Sequence, residues 1–260
     1  MLKRISLFAY GSACYVLFLA TFLCAVGFIG NFAVPRTLDG PPRGPIGVGL
    51  AIDVGLLTLF AVQHSVMARR WFKERWTRIV PRPVERSTYV LFSSVALGLL
   101  FFLWQPLGGS VWVVEAPVAR AVVLGLFAFG WGLVLFCTFL INHFDLFGLR
   151  QVWLELLGRP YTPIAFATPG PYRLVRHPLY VGWLFAFWMT PTMTLSHLLF
   201  AVATTTYIVL AIQLEERDLL REHGSAYERY RRQVPMLVPF SAPREKEESI
   251  NPQSGPLRHT

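Results

Sequence analysis

Apolar and polar residues fall in long blocks along this chain, not in the short alternations of half-buried strands. Five runs are almost wholly apolar, at residues 6–30, 46–67, 88–104, 118–141 and 193–213. Each approaches or exceeds the roughly 20 residues that an α-helix needs to cross about 30 Å of hydrocarbon at about 1.5 Å per residue. A sixth apolar stretch, residues 179–190, is too short to cross and predicts a half-length helix. Together with the run at 193–213 and an outer turn near Pro191, it makes a hairpin that returns the chain to the face it left. The expected fold is an all-α integral membrane protein of about five transmembrane helices, plus the short helix of that hairpin.

Composition excludes the soluble classes. Hydrophobic residues make up 54% of the chain and charged residues 15%, with a mean hydropathy of +0.47. Charge then orients the spans. With the N-terminus in the cytoplasm, cytoplasmic segments carry 21 of the 24 Lys and Arg residues, and the outer loops keep only Arg36, Arg43 and Arg120. That asymmetry predicts both termini in the cytoplasm. The net charge of +9 is therefore read as topology and contact with anionic lipid heads. No nucleic-acid-binding motif competes with that reading. The first apolar run is too long for a signal-peptide core, and its removal would break the topology. Cys14, Cys24 and Cys137 lie singly in spans, without the paired spacing of a zinc or redox site, and no glycine-rich nucleotide loop or metal-ligand cluster is expected.

Ionisable residues are unevenly spread. The four spans of residues 1–141 carry few, whereas residues 142–240 concentrate His, Asp, Glu, Tyr and Arg near the cytoplasmic face. The chain is accordingly divided into a four-span membrane region (1–141), a ligand-binding core (142–240) and a polar tail (241–260) expected to be disordered.

Within the core, Arg176-His177-Pro178-Leu179-Tyr180-Val181-Gly182 precedes the hairpin and Glu215-Glu216-Arg217 follows it. Pro178 suits the first position of a helix, where its missing N–H costs nothing, and the next amides would be free donors for a carboxylate or phosphate. Gly182 removes a side chain and would let a ligand approach the backbone. By helix lengths alone, His177 should lie some 10 Å deeper than Glu215, so that an elongated ligand spans the gap. Beyond Gly224, Ser225-Ala226-Tyr227-Glu228 reads as a capping box opening a last helix with Tyr227 and Tyr230 on one face. A helix N-terminus, carboxylates and aromatic rings together suit S-adenosylmethionine, which carries a carboxylate, an amine, a sugar, a purine and a sulfonium.

The run Pro171-Tyr172-Arg173-Leu174-Val175 leading into Arg176-His177-Pro178-Leu179-Tyr180-Val181-Gly182, then Glu215-Glu216-Arg217-Asp218-Leu219, then Gly224, Tyr227, Tyr230 and Val234-Pro235, resembles the signature of the isoprenylcysteine carboxyl methyltransferase superfamily. The resemblance covers about 70 residues and implies that Arg176, His177, Tyr180, Gly182, Glu215, Glu216 and Tyr227 line an S-adenosylmethionine pocket. Outside it, Gln63-His64-Ser65-Val66-Met67, Glu85-Arg86-Ser87-Thr88-Tyr89-Val90-Leu91 and Asn142-His143-Phe144-Asp145-Leu146-Phe147-Gly148-Leu149-Arg150-Gln151-Val152 resemble the nurim-like branch. Within that branch the chain is most similar to bacterial members that methylate a small thiol, methanethiol, to dimethyl sulfide. This implies a bacterial inner-membrane enzyme whose site opens to the cytoplasm. Methylation of isoprenylcysteine or phospholipid, and a non-catalytic nurim-like scaffold, are the alternatives.

A thiol titrates above neutrality, so a base or a site that favours the thiolate is expected. His143 paired with Asp145, just past the fourth span, is one candidate and His64 the other, with Gln63, Asn142 and Arg150 on the substrate side. The structural alternatives are that His143 and Asp145 cap a helix at the interface and that Gln63 and His64 join helices. Asp53 is read as structural and His197 as interfacial; for Arg150, Arg173 and the basic run from position 69 to 86, contact with lipid head groups is the structural alternative.

Overall fold

The computed structural model describes residues 1–241, so the expected disordered tail, apart from its first residue, lies outside the described residues. In chain order the helices are α1 (Leu2–Gly30), α2 (Ile46–Ala68), α3 (Arg70–Trp76), α4 (Arg82–Leu103), α5 (Pro117–Leu140), α6 (His143–Leu146), α7 (Leu149–Leu156), α8 (Pro178–Trp188), α9 (Leu195–His223) and α10 (Ser225–Gln233). Five of them, α1, α2, α4, α5 and α9, are long and apolar enough to cross a membrane, and α8 is the half-length sixth. Proline sets several of the starts: it caps α2 and α4 and occupies the first turn of α4, α5 and α8, where no intrahelical N–H is needed. Asn31, with φ of 61°, ends α1 in a left-handed cap.

The helices close into a ring. Each of α5, α8, α9, α2, α4 and α1 packs on the next, and α1 returns to α5 through Phe22, whose ring meets Trp131 edge-on at 5.2 Å. Gly182 governs the tightest of these contacts. A Cβ there would lie 2.9 Å from the Gly130 carbonyl oxygen and from the Val134 nitrogen, so the bare backbone is what lets α8 lie against α5. This corrects the expectation that Gly182 opens the backbone to a ligand, because α5 already fills that space.

Two short strands were not anticipated by the apolar pattern. Ser110–Val113 (β1) and Thr192–Thr194 (β2) pair antiparallel beyond the ends of α4 and α8. They also remove the expected 10 Å offset. The segment between α8 and α9 runs partly extended, rising about 3.3 Å per residue against about 1.5 Å in a helix, so the hairpin arm holding the short α8 spans the same depth as α9. His177 and the two glutamates consequently meet directly. The capping box is a further correction: Ser225 is the first residue of α10, and Gly224, with φ of 54°, both ends α9 and precedes α10, with no side-chain cap. With a single residue between the two helices there is no room for a separate capping turn.

Candidate active site

The two halves of the split polar signature converge on Glu216. Its Oε1 accepts from Arg176 Nε at 2.7 Å and lies 3.1 Å from His177 Nε2. All three side chains are almost wholly removed from solvent. A carboxylate can only accept, so His177 carries its proton on Nε2. Next to it, Glu215 is half exposed, and its Oε2 accepts from the Tyr180 hydroxyl at 3.0 Å. Proline at position 178 starts α8 where its first turn can present Tyr180 to α9, and the uninterrupted 29-residue α9 carries Glu215 and Glu216 to meet it.

Arg176 has a second task. Its Nη1 donates to the carbonyls of Arg231 at 3.0 Å and Val234 at 2.6 Å. The backbone amides of Arg176 and His177 donate to Pro235 at 2.8 Å and Met236 at 3.2 Å. The chain after α10 is thus strapped across the mouth of the site. This strap brings in Tyr227, which is 1% exposed, and Tyr230, whose ring lies 5.8 Å from it. Tyr230 donates to the Tyr172 carbonyl at 2.6 Å, whereas the buried Tyr227 hydroxyl has no partner among the described residues. Burial, reinforced by the nearby Glu216 and Glu215 carboxylates, holds the Tyr227 phenol well above its ordinary pKa, and burial pushes Tyr230 up to about 12. Both remain neutral and able to donate throughout the physiological range.

The pairing expected of His143 with Asp145 does not form. His143 is 2% exposed and hydrogen-bonds Thr138 Oγ1 through Nδ1 at 2.8 Å and the Tyr15 hydroxyl through Nε2 at 2.9 Å. Thr138 gives its own hydroxyl proton to the Leu135 carbonyl at 2.7 Å. It must therefore accept from His143, which fixes the tautomer with the proton on Nδ1. The imidazole stacks on Phe139, with centroids 4.3 Å apart, and burial lowers its pKa. Asp145 turns away to accept from Arg150 at 2.8 Å and from Tyr161 at 3.3 Å. Two residues apart on a single helical turn, the side chains of His143 and Asp145 diverge. Asn142 is a cap, accepting from the Asp145 amide at 3.1 Å, and Arg150 ties Asp145 to Thr162, so neither residue stands free on a substrate side. Gly148, with φ of 86°, lets this turn press on Ser87 of α4. The Asn142-to-Gly148 motif is an anchor binding α5 to α1 and α4.

His64 occupies a different setting. It lies between α2, α4 and α9, with Tyr89 and Ser93 of α4 bonded to its ring and Tyr207 of α9 beside it. Gln63 donates to Met67 Sδ at 3.1 Å, and its buried Oε1 has no partner among the described residues. Asp53 is fully buried and accepts from the Gln105 amide at 2.9 Å. His197, expected at the interface, is 1% exposed instead and ties Asp39 of the α1–α2 connection to the Phe187 carbonyl. Sequence reasoning quoted Tyr89 and Tyr172 within family motifs without giving either a role, and it did not name Tyr207; their contacts emerge only once the helices are placed in a ring.

A ring of five long apolar helices and one half-length helix, with a buried Arg-His-Glu cluster at one end, defines an all-α integral membrane protein. Comparison with known proteins takes this further. The chain is 57% identical over 239 residues to a methanethiol S-methyltransferase of Crocosphaera subtropica, covering 92% of this chain and 94% of that protein. It is 52% identical over 239 residues to one of Mycobacterium tuberculosis, covering 92% and 98%. Nurim of Pan troglodytes is 36% identical over 179 residues, covering 65% of this chain and 68% of its own. The chain belongs to the methanethiol S-methyltransferase family, with nurim as a more distant relative. No protein-family profile matches it. No solved structure matches it either.

Proposed function

We propose that the protein transfers a methyl group from S-adenosylmethionine to methanethiol, releasing dimethyl sulfide, in a bacterial inner membrane with the site open to the cytoplasm. The observation that carries this reading is the convergence of Arg176, His177 and Tyr180 on Glu216 and Glu215 beside the orphaned Tyr227 hydroxyl. The chain's membership of the methanethiol S-methyltransferase family supports it.

The residues fit the methyl donor chemically. A buried phenol without a partner costs roughly 1–3 kcal/mol, a cost removed when a polar ligand atom reaches it. Glu215, half exposed and with Oε1 unpaired among the described residues, offers a carboxylate to an ammonium or to ribose hydroxyls. The first amides of α8 offer donors to a carboxylate, and the neighbouring Tyr227 and Tyr230 offer ring faces to a purine. Arg176 and His177 act one step back: they hold Glu216 in place and strap the C-terminal segment over the site.

When bound, the donor supplies an electrophilic methyl on a sulfonium. Thiolate and sulfonium combine to two neutral thioethers, so charge vanishes in the transition state and a site with little water favours the reaction. The helix ring supplies such surroundings. Calorimetry with S-adenosylhomocysteine on protein purified in detergent tests the reading: saturable binding is expected, and no binding at millimolar ligand contradicts it.

A further inference from the structure

Transfer to a thiol, CH3–SH, releases one proton; Glu216 cannot take it without losing Arg176 and His177, and Glu215 is assigned above to the donor's ammonium or ribose hydroxyls. We infer that His64, positioned by Tyr89, is the group that receives the thiol proton, and that the acceptor enters between α2, α4 and α9. The inference rests on the methyl-transfer reading above and specifies its acceptor side.

Of the two histidines that the sequence offers as bases, His143 is committed. Its Nδ1 proton goes to Thr138, its Nε2 receives from Tyr15, and five aromatic rings, those of Tyr15, Phe18, Phe139, Phe144 and Phe147, enclose it. His64 is held only by hydroxyls that can reverse their direction. Tyr89 Oη lies 2.8 Å from its Nε2 and 3.0 Å from its Nδ1, and Ser93 Oγ lies 3.2 Å from Nδ1. A hydroxyl can donate or accept, so the same contacts accommodate the ring before and after it takes a proton. Phe60 stacks on the imidazole at 5.2 Å and fixes its plane.

The cluster also touches α9, the helix that carries Glu215 and Glu216. Tyr207, whose hydroxyl lies 3.2 Å from Ser65 Oγ, has its ring 6.5 Å from His64. On the neighbouring α8, the Tyr180 hydroxyl donates to Glu215 at 3.0 Å. The titratable and charged groups around His64 are Tyr89 and Arg86 from α4 and Tyr207 from α9. The step balances. The S–H bond breaks, its proton passes to an imidazole nitrogen of His64, and its electron pair forms the new S–CH3 bond. The donor's S–CH3 bond breaks with its pair kept on the sulfonium sulfur, which leaves as a neutral thioether.

The test compares wild type with His64→Ala, His64→Gln and Tyr89→Phe by S-adenosylhomocysteine calorimetry and by dimethyl sulfide release across pH 6–10. Expected are unchanged ligand binding in all three, which also shows them folded, and a fall in turnover at pH 7 of at least about a hundredfold for both His64 variants. Their rates should then climb about tenfold per pH unit as the medium supplies thiolate, while wild type stays flat, and added imidazole should restore part of the rate. Tyr89→Phe should lower kcat with an unchanged KM for the donor. His64 variants whose pH profile parallels wild type, or whose loss of turnover matches a loss of ligand binding, overturn the inference while leaving methyl transfer intact. A wild-type protein that makes no dimethyl sulfide overturns the methyl-transfer reading itself.

Discussion

Glu216 illustrates how much one buried carboxylate holds together. Two basic side chains share its Oε1, and one of them, Arg176, also clasps the C-terminal strap. Removing the acid strands Arg176 and His177 without an anion, a change that costs about 3–5 kcal/mol when the pair is buried. Glu216→Gln is accordingly expected to weaken S-adenosylhomocysteine binding by at least about tenfold and to lower the thermal midpoint in detergent; unchanged affinity in calorimetry would remove Glu216 from the donor site. His143 gives a prediction of a different kind. Its folded-state pKa is depressed by burial, so the unfolded chain binds the proton more readily. Its stabilising contribution is complete above the ordinary imidazole value near about 6.5 and is lost as pH falls below it. Thermal melts from pH 8 to 5 should show stability dropping below about pH 6.5, and His143→Gln should flatten that part of the curve. These residues were singled out by type and spacing in the sequence, yet their partners were not. That Thr138 and Tyr15 claim both nitrogens of His143 depends on where α1 meets α5, and nothing local to Asn142-His143-Phe144-Asp145 encodes that meeting.

Among the elements, the long helices were legible because hydrocarbon thickness sets their length, and a run of apolar residues reports it directly. The short elements were not. The one-turn α6, the strands β1 and β2, and the strap after α10 owe their form to what they touch, and the strands in particular changed the hairpin geometry deduced from helix rise alone. Gly182 shows the same limit. A glycine one turn into a helix can open space for a ligand or for another helix, and only the placement of Gly130 decides between them. The consequence is testable against an internal control. Gly182→Ala puts a methyl 2.9 Å from backbone atoms of α5 that cannot give way, and overpacking of this kind costs roughly 1–3 kcal/mol. Gly125→Ala, on the same α5 with nothing within 4 Å of the added carbon, should leave the melting temperature unchanged. Equal effects of the two substitutions in a detergent thermal-shift assay would contradict the packing assignment.

For the whole molecule, the charge asymmetry of the loops predicts an orientation, and the packing of the helices closes them into a ring. The orientation predicts that a cysteine placed at Arg78 reacts with a membrane-impermeant maleimide only after the inner membrane is opened, whereas one placed at Arg43 reacts in spheroplasts; the reverse pattern would invert the topology. Closure is what makes chemistry out of scattered motifs. The two glutamates on α9, the arginine and histidine ahead of α8, and the hydroxyl-bound histidine of α2 are far apart along the chain and lie on helices of one ring, whose interior we propose they share. Family membership and the Glu216 cluster together point to methyl transfer to a small thiol. It is tested most directly by incubating the purified protein in lipid nanodiscs with methanethiol and S-adenosylmethionine bearing a deuterated methyl, and reading the headspace by mass spectrometry. Protein-dependent formation of dimethyl sulfide carrying one labelled methyl, abolished by Glu216→Ala, is expected. Absence of that product, or label appearing in lipid while the headspace stays empty, would contradict methyl transfer to the thiol.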